Sequence, residues 1–148
     1  MGPDPDHGTH VSGIIAAQRG NNLGIDGIAD NVKIMMLRAV PNGDEYDKDI
    51  ALAIRYAVDN GAKVINMSFG KSFSPQKNWV DDAVRYADEH DVLLIHAAGN
   101  ENNNVDSTDN FPNAVFLDTK KEAANFITVG ASSDFKVTPE KKIGRAHV

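Results

Sequence analysis

The sequence contains no cysteine. That excludes disulfides, thiolate nucleophiles and thiolate metal sites. It leaves the compartment open, because an exported protein can fold without cross-links. Positive charge is also scarce: 15 Lys and Arg stand against 21 Asp and Glu, for a net charge of -6. No basic run exceeds Lys120-Lys121 or Lys141-Lys142. A protein whose main partner is nucleic acid concentrates Lys and Arg on one face, so that class is excluded. No apolar run approaches the ~20 residues of a membrane-spanning helix, and the first residues do not read as a signal peptide. Internal repeats are absent as well.

What is present fits one globular domain. The 148 residues are 41% hydrophobic and 24% charged, enough to bury a core. Val32–Arg38, Lys63–Met67 and Val92–Ala98 are apolar and β-rich, and Phe126–Gly130 is a fourth such run. Helical spacing appears between them. Ile50, Ala53, Ile54, Ala57 and Val58 form one face, with Gly61 where a C-terminal capping glycine belongs. Val80, Ala83, Val84 and Ala87 form another, and Ser74-Pro75 reads as its N-cap and first-turn proline. Near-continuous apolar strands alternating with amphipathic helices predict an α/β fold, a three-layer, doubly wound and mostly parallel sheet. In such sheets chemistry gathers at the carboxyl ends of the strands. Two loops leave strands there, Ser68-Phe69-Gly70 and Gly99-Asn100-Glu101. Residues 99–113, rich in Asn, Asp, Ser and Pro, read as a long surface loop.

Two segments carry candidate chemistry. In His7-Gly-Thr-His-Val-Ser-Gly13, Asp6 is a plausible N-cap, Val11, Ile14 and Ile15 are expected to face inward, and His7 stands at an exposed helix start. There an imidazole is free to act as a general base near neutral pH. The ordinary alternative is a merely exposed histidine. A metal reading through His7 and His10, with Asp4 or Asp6, lacks a third ligand at metal-site spacing. In Ile95-His-Ala-Ala-Gly-Asn100 a strand ends in small residues, and the Asn100 amide could donate to a developing oxyanion; the alternative is a turn asparagine. His96 reads as a neutral, hydrogen-bonded core histidine, with a role in shaping a neighbouring pocket wall as the second reading.

Taken together, these segments resemble the subtilisin-like serine proteases, the subtilases. His7-Gly-Thr-His-Val-Ser-Gly13 is similar to the family's catalytic-histidine motif, with Ser12 where alanine is commoner. Val64-Ile-Asn-Met-Ser-Phe-Gly70 resembles one wall of the S1 pocket, and Ala97-Ala-Gly-Asn100 the opposite wall with its oxyanion-hole asparagine. Asn21-Asn-Leu-Gly-Ile-Asp-Gly-Ile-Ala29 resembles a loop that helps to hold calcium in many members. The segments occur in family order, and the resemblance covers most of residues 5–133. It implies a serine endopeptidase with an Asp-His-Ser triad. His7 would be the general base and Asn100 the oxyanion donor. Ser68, Phe69, Gly70, Ala97, Ala98 and Gly99 would bind substrate. Asn42–Tyr46 would flank the substrate's upstream residues, with Asp44 and Glu45 favouring basic side chains. The alternative for that acidic run is a solvated face before a helix.

The resemblance further implies polypeptide substrates, no cofactor for the chemistry, a structural calcium ion with Asn21 as a ligand, and a monomer. A bacterial protein, secreted or at the cell envelope, is expected.

Two family motifs are missing. No Asp-Thr/Ser-Gly precedes His7, and no Gly-Thr-Ser-Met-Ala occurs; Gly130-Ala-Ser-Ser133 matches a strand end instead. Residues 1–142 are therefore expected to be an internal part of a subtilase catalytic domain, inactive alone. Ile143-Gly-Arg-Ala-His-Val148 can be encoded by ATC GGA AGA GCA CAC GTC, part of a sequencing adaptor, so 143–148 are expected to be a non-native tail. Three readings compete with a protease: a catalytically inactive, peptide-binding subtilase relative, a nucleotide-binding domain, and a metal-binding domain through His7 and His10. Phe69-Gly-Lys-Ser72 faintly resembles a P-loop, but the glycine that motif needs at position 65 is Ile.

Overall fold

The computed structural model describes residues 6–41, 43–101 and 103–132. Asp4, Asn42, Ser133 and the tail 143–148 lie outside them. The chain forms two compact units, residues 1–38 and 39–148.

In the first unit, α1 spans Asp6–Ala16, with Asp6 inside its first turn rather than preceding it as a cap. The helix ends on the following loop. The N–H groups of Gly27, Ile28 and Ala29 donate to the carbonyls of Ala17, Ile14 and Ile15 at 2.9, 3.0 and 2.7 Å. These bonds satisfy carbonyls that a helix end leaves unpaired. The expected inward face is not a buried one: α1 has no buried residue, Val11 and Ile15 are half-buried, and Ile14 is 45% exposed. Val32–Arg38 is likewise no strand. Its apolar pattern is right, but among the described residues no neighbouring strand supplies the ladder of hydrogen bonds that defines one.

In the second unit, α2 spans Asp47–Asp59 and α3 Lys77–Glu89, and β1 (Val64–Met67), β2 (Leu93–Ala97) and β3 (Phe126–Val129) form a sheet. The strand order is β1-β2-β3, and both pairings are parallel, as the alternation of strands and helices predicts. Register sets Met67 beside His96, and His96 beside Thr128. Ile50, Ala51, Ile54, Ala57 and Val58 of α2 are buried, as are Val80, Ala83, Val84 and Ala87 of α3. The two helices pack together through these stripes and close over Met67, Val92, Leu94 and Phe126. Each fully buried Leu or Ile contributes about 1.5–3 kcal/mol.

Both helices stop in the same way. After α2, Gly61 takes φ +83°, its N–H donates to Val58 and that of Ala62 to Ala57. After α3, Asp91 takes φ +56°, its N–H donates to Asp88 and that of Val92 to Ala87. Each is a Schellman ending that turns the chain directly into a strand. The expected start of α3 is different in detail. Ser74-Pro75 precedes the helix as part of a turn, the N-cap is Gln76, and no side chain caps it. The Ser74 hydroxyl donates to Asp47 Oδ1 instead, at 2.7 Å.

Candidate functional site

Because β1 and β2 are parallel neighbours, their carboxyl ends open on one edge of the sheet. Ser68-Phe69-Gly70 leaves β1 there, and Ala98-Gly99-Asn100 leaves β2. Asn66 Nδ2 donates to Ser68 Oγ at 2.8 Å, fixing the first residue of one loop. On the other, Ala98 N–H donates to the Val129 carbonyl at 2.9 Å, and Gly99 turns the chain with φ +93°. Asn100 then stands exposed, its backbone N–H donating to Glu101 Oε2 at 2.8 Å.

Asn110 bridges the two loop ends, and sequence reasoning missed it. Its Nδ2 donates to the Ala97 carbonyl at 3.0 Å. Its Oδ1 occupies the space a side chain at Gly70 would need. One signal was available: Gly70 has no side chain, so something can approach it closely. Nothing in the Asn-rich run 99–113 singled out the residue that does. Next to it, Lys71 and Phe111 exchange two backbone hydrogen bonds, at 3.1 and 2.8 Å.

His96 lies beneath these loops, 1% exposed, with Phe69 edge-on at 6.5 Å between ring centroids and Phe126 at 5.9 Å. Burial depresses its pKa to about 4, against a smaller opposing effect of a hydrogen bond with the Phe69 backbone. The ring is neutral at pH 7. Nε2 has no hydrogen-bond partner among the described residues.

The acidic run before α2 is not a solvated face throughout. Asp44 is exposed, but Glu45 is 4% exposed and its Oε1 has no hydrogen-bond partner among the described residues. Burial raises the pKa of that carboxyl. The carbonyl of Glu45 accepts from Lys71 Nζ at 2.6 Å, which draws the segment inward. Asp47 follows, buried, paired with Lys71 at 2.8 Å. Burial pushes its carboxyl up, but hydrogen bonds from Lys71, Ser74 and the Gln76 amide outweigh this and hold it below the ordinary range.

The first unit holds the remaining candidates. His7 is exposed on the first turn of α1, with His10 exposed one turn on. Ser12 Oγ donates back to the Gly8 carbonyl at 2.8 Å. Asn21 Oδ1 accepts from the Leu23 amide at 2.9 Å, and Asp26 Oδ1 from the Gly20 amide at 3.3 Å. Both oxygens are thus engaged by their own loop. Among the described residues no group of three or more His, Asp or Glu is arranged to hold a metal ion; Asp4, which the reading of His7 and His10 as metal ligands also used, lies outside them. No helix of the described residues is long and apolar enough to cross a membrane.

The fold and these two loops define an α/β protein whose candidate binding residues lie where neighbouring parallel strands end. The model of the subtilase family matches residues 2–143, and the chain belongs to that family. It is 45% identical over 96 residues to the Thermophilic serine proteinase of Bacillus sp. (strain AK1), covering 64% of this chain and 23% of that protein. It is 34% identical over 140 residues to the Minor extracellular protease Epr of Bacillus subtilis (strain 168), covering 89% and 21%. Among solved structures it resembles Sphericase, with a TM-score of 0.68 at 32% identity over 84% of this chain and 39% of that one. The chain therefore spans less than half the length of the relatives it matches.

Proposed function

We propose that this chain carries the general base and the oxyanion donor of a serine endopeptidase. The observation that carries the reading is the pair of loops, Ser68–Gly70 and Ala97–Asn100, at the ends of adjacent parallel strands and spanned by Asn110. An extended peptide lying along Ser68–Gly70 would present its scissile carbonyl toward Asn100. His7 would take the proton of the attacking serine and return it to the leaving amine. The Asn100 side-chain amide would stabilise the oxyanion of the tetrahedral intermediate. Ala97, Ala98 and Gly99 offer no large side chain, which leaves room for the substrate's own. Asp44, exposed, would favour a basic residue upstream, whereas Glu45 would act through its carbonyl and its buried position.

The chemistry calls on no cofactor. A calcium ion takes six to eight oxygens; Asn21 would supply one, and binding would first have to release its bond to Leu23. A calcium titration that leaves the melting temperature of the chain unchanged removes this part of the reading. The extracellular protease Epr supports secretion by a bacterium.

The first test is the DNA flanking this reading frame. An Asp-Thr/Ser-Gly motif upstream and a Gly-Thr-Ser-Met-Ala motif downstream are expected. In the protein so encoded, His7→Ala abolishes peptide hydrolysis. Asn100→Leu lowers turnover by about 10²–10³ with little change in KM, a magnitude taken from subtilisin itself and not from this structure. Residues 1–148 alone are expected to resist a serine-directed fluorophosphonate. Heat-sensitive labelling of that chain, or full activity after loss of His7, overturns the assignment.

A further inference from the structure

The residue directly after the Ser68–Gly70 loop is a lysine that is not on the surface. The Lys71 side chain is 8% exposed and that of its partner Asp47 2%. Nζ donates to Asp47 Oδ1 at 2.8 Å and to the Glu45 carbonyl at 2.6 Å. Asp47 also accepts from Ser74 Oγ at 2.7 Å and, on Oδ2, from the Gln76 amide at 2.8 Å. The Lys71 backbone is held from the other side by Phe111. Two stretches of chain, residues 45–47 and 71–76, therefore meet at one ammonium and one carboxylate.

Energy alone gives little reason for such a pair. Removing each ion from water costs several kcal/mol, and a well-packed apolar pair of similar volume is commonly as stable or more so. What the charged pair adds is geometry. Two hydrogen bonds from one Nζ fix the Glu45–Asp47 backbone relative to Gly70 to within the tolerance of a hydrogen bond, which apolar contacts do not. The two stretches it joins are the ones that, on the reading above, border the substrate on either side.

We propose that Lys71 is a positioning residue that sets the spacing of the peptide groove by tying the Asp44–Asp47 stretch to the Ser68–Gly70 loop. The proposal rests on the peptide-binding reading of those loops. It implies that peptides long enough to touch both stretches depend on Lys71, whereas a ligand confined to the Ala97–Asn100 end does not.

The test uses the 148-residue chain, isotope-labelled, with amide shifts followed on addition of a blocked, extended tetrapeptide or of a blocked single phenylalanine amide. Lys71→Met alone leaves Asp47 as an unpaired buried carboxylate, so it is combined with Asp47→Asn, whose oxygen still accepts from the Gln76 amide while its NH2 can donate to the Ser74 hydroxyl. The double variant is expected to keep a dispersed spectrum, weaken the tetrapeptide about tenfold or more, and leave the single-residue ligand unchanged. Lys71→Arg, which keeps the charge, is expected to restore most of the difference. Equal tetrapeptide affinity in the double variant overturns the positioning role and leaves the peptide-binding reading standing. Equal weakening of both ligands, or a collapsed spectrum in the double variant and in Lys71→Arg, reduces Lys71 to a structural residue and also overturns the proposal. No shift in the wild-type chain with either ligand defeats the peptide-binding reading, and this inference with it.

Discussion

The side-chain amide of Asn110 donates to the carbonyl of Ala97 at 3.0 Å while its oxygen fills the space above Gly70. One residue of the long loop thereby couples the ends of β1 and β2. A methyl group at Gly70 has to push Asn110 away and break the Ala97 bond. Gly70→Ala is expected to cost about 1 kcal/mol, the worth of such a hydrogen bond, read as a lower urea midpoint. Asn110→Ala is expected to cost a similar amount. The double variant should cost clearly less than the sum, because both changes remove one interaction. Strict additivity would show that the two sites are independent.

Acid should destabilise the fold through His96. The folded pKa is about 4 and the ordinary value 6.5. Between these values the unfolded chain binds a proton that the folded chain refuses, so stability falls as pH drops from about 6.5 to 4 and then levels. The full fall attributable to this ring is about 3 kcal/mol, from 1.36 kcal/mol per pH unit. Urea melts at pH 7, 5.5 and 4 should follow this curve, and His96→Asn, which does not titrate, should flatten it. An unchanged slope in that variant would assign the acid sensitivity to other groups.

The two helix endings make a matched pair of opposite sign. Gly61→Ala places a side chain at φ +83° and should destabilise by about 1 kcal/mol. Asp91 already carries that strain at φ +56°, so Asp91→Gly should be neutral or stabilise by less than ~1 kcal/mol. Thermal melts of the two variants side by side decide the point; a loss of stability in Asp91→Gly would mean that its side chain makes a contact worth more than the strain.

Lys77 and Asp81 pin a distant segment to α3. Lys77 Nζ bonds Asp81 and the Val115 carbonyl, and Asp81 Oδ2 accepts from the Leu117 amide at 2.7 Å. Asp81→Ala strands a buried ammonium and should cost about 3–5 kcal/mol. Lys77→Met with Asp81→Asn should cost much less. Chemical denaturation of the two variants gives the comparison, and equal costs would show that the charges themselves do not matter.

The sheet was legible because its strands are long apolar runs cut off by turn residues. Lys63–Met67, Val92–Ala98 and Phe126–Gly130 each contain the strand found there to within a residue or two. Val32–Arg38 has the same pattern and forms none, since pattern specifies a face and not a partner. The helix faces of α2 and α3 were readable from spacing. The inward face expected for α1 was not, because an apolar stripe buries only where something covers it. Least visible were Lys71, Asp47, Lys77 and Asp81. Charged residues read as solvated unless their partners are known, and these partners lie 24 and four positions apart (the second a spacing that also suits an exposed helix pair). Ser68–Gly70 and Gly99–Asn100 were visible as loops leaving apolar strands, and resemblance added their substrate-binding roles; Asn110, which spans them, lay in a run with no pattern at all.

The loop 99–113 has a closed base. Asn110 is bonded to Ala97 and Phe111 to Lys71, so its two ends are held together whatever lies between them. Residues 106–109 are exposed at its crown. Lengthening a loop whose ends are already joined is inexpensive, about 0.6 kcal/mol for each doubling. The molecule thus has a natural splice point: a foreign epitope inserted after Ser107 would hang from a hydrogen-bonded collar beside the strand ends, on display to an antibody.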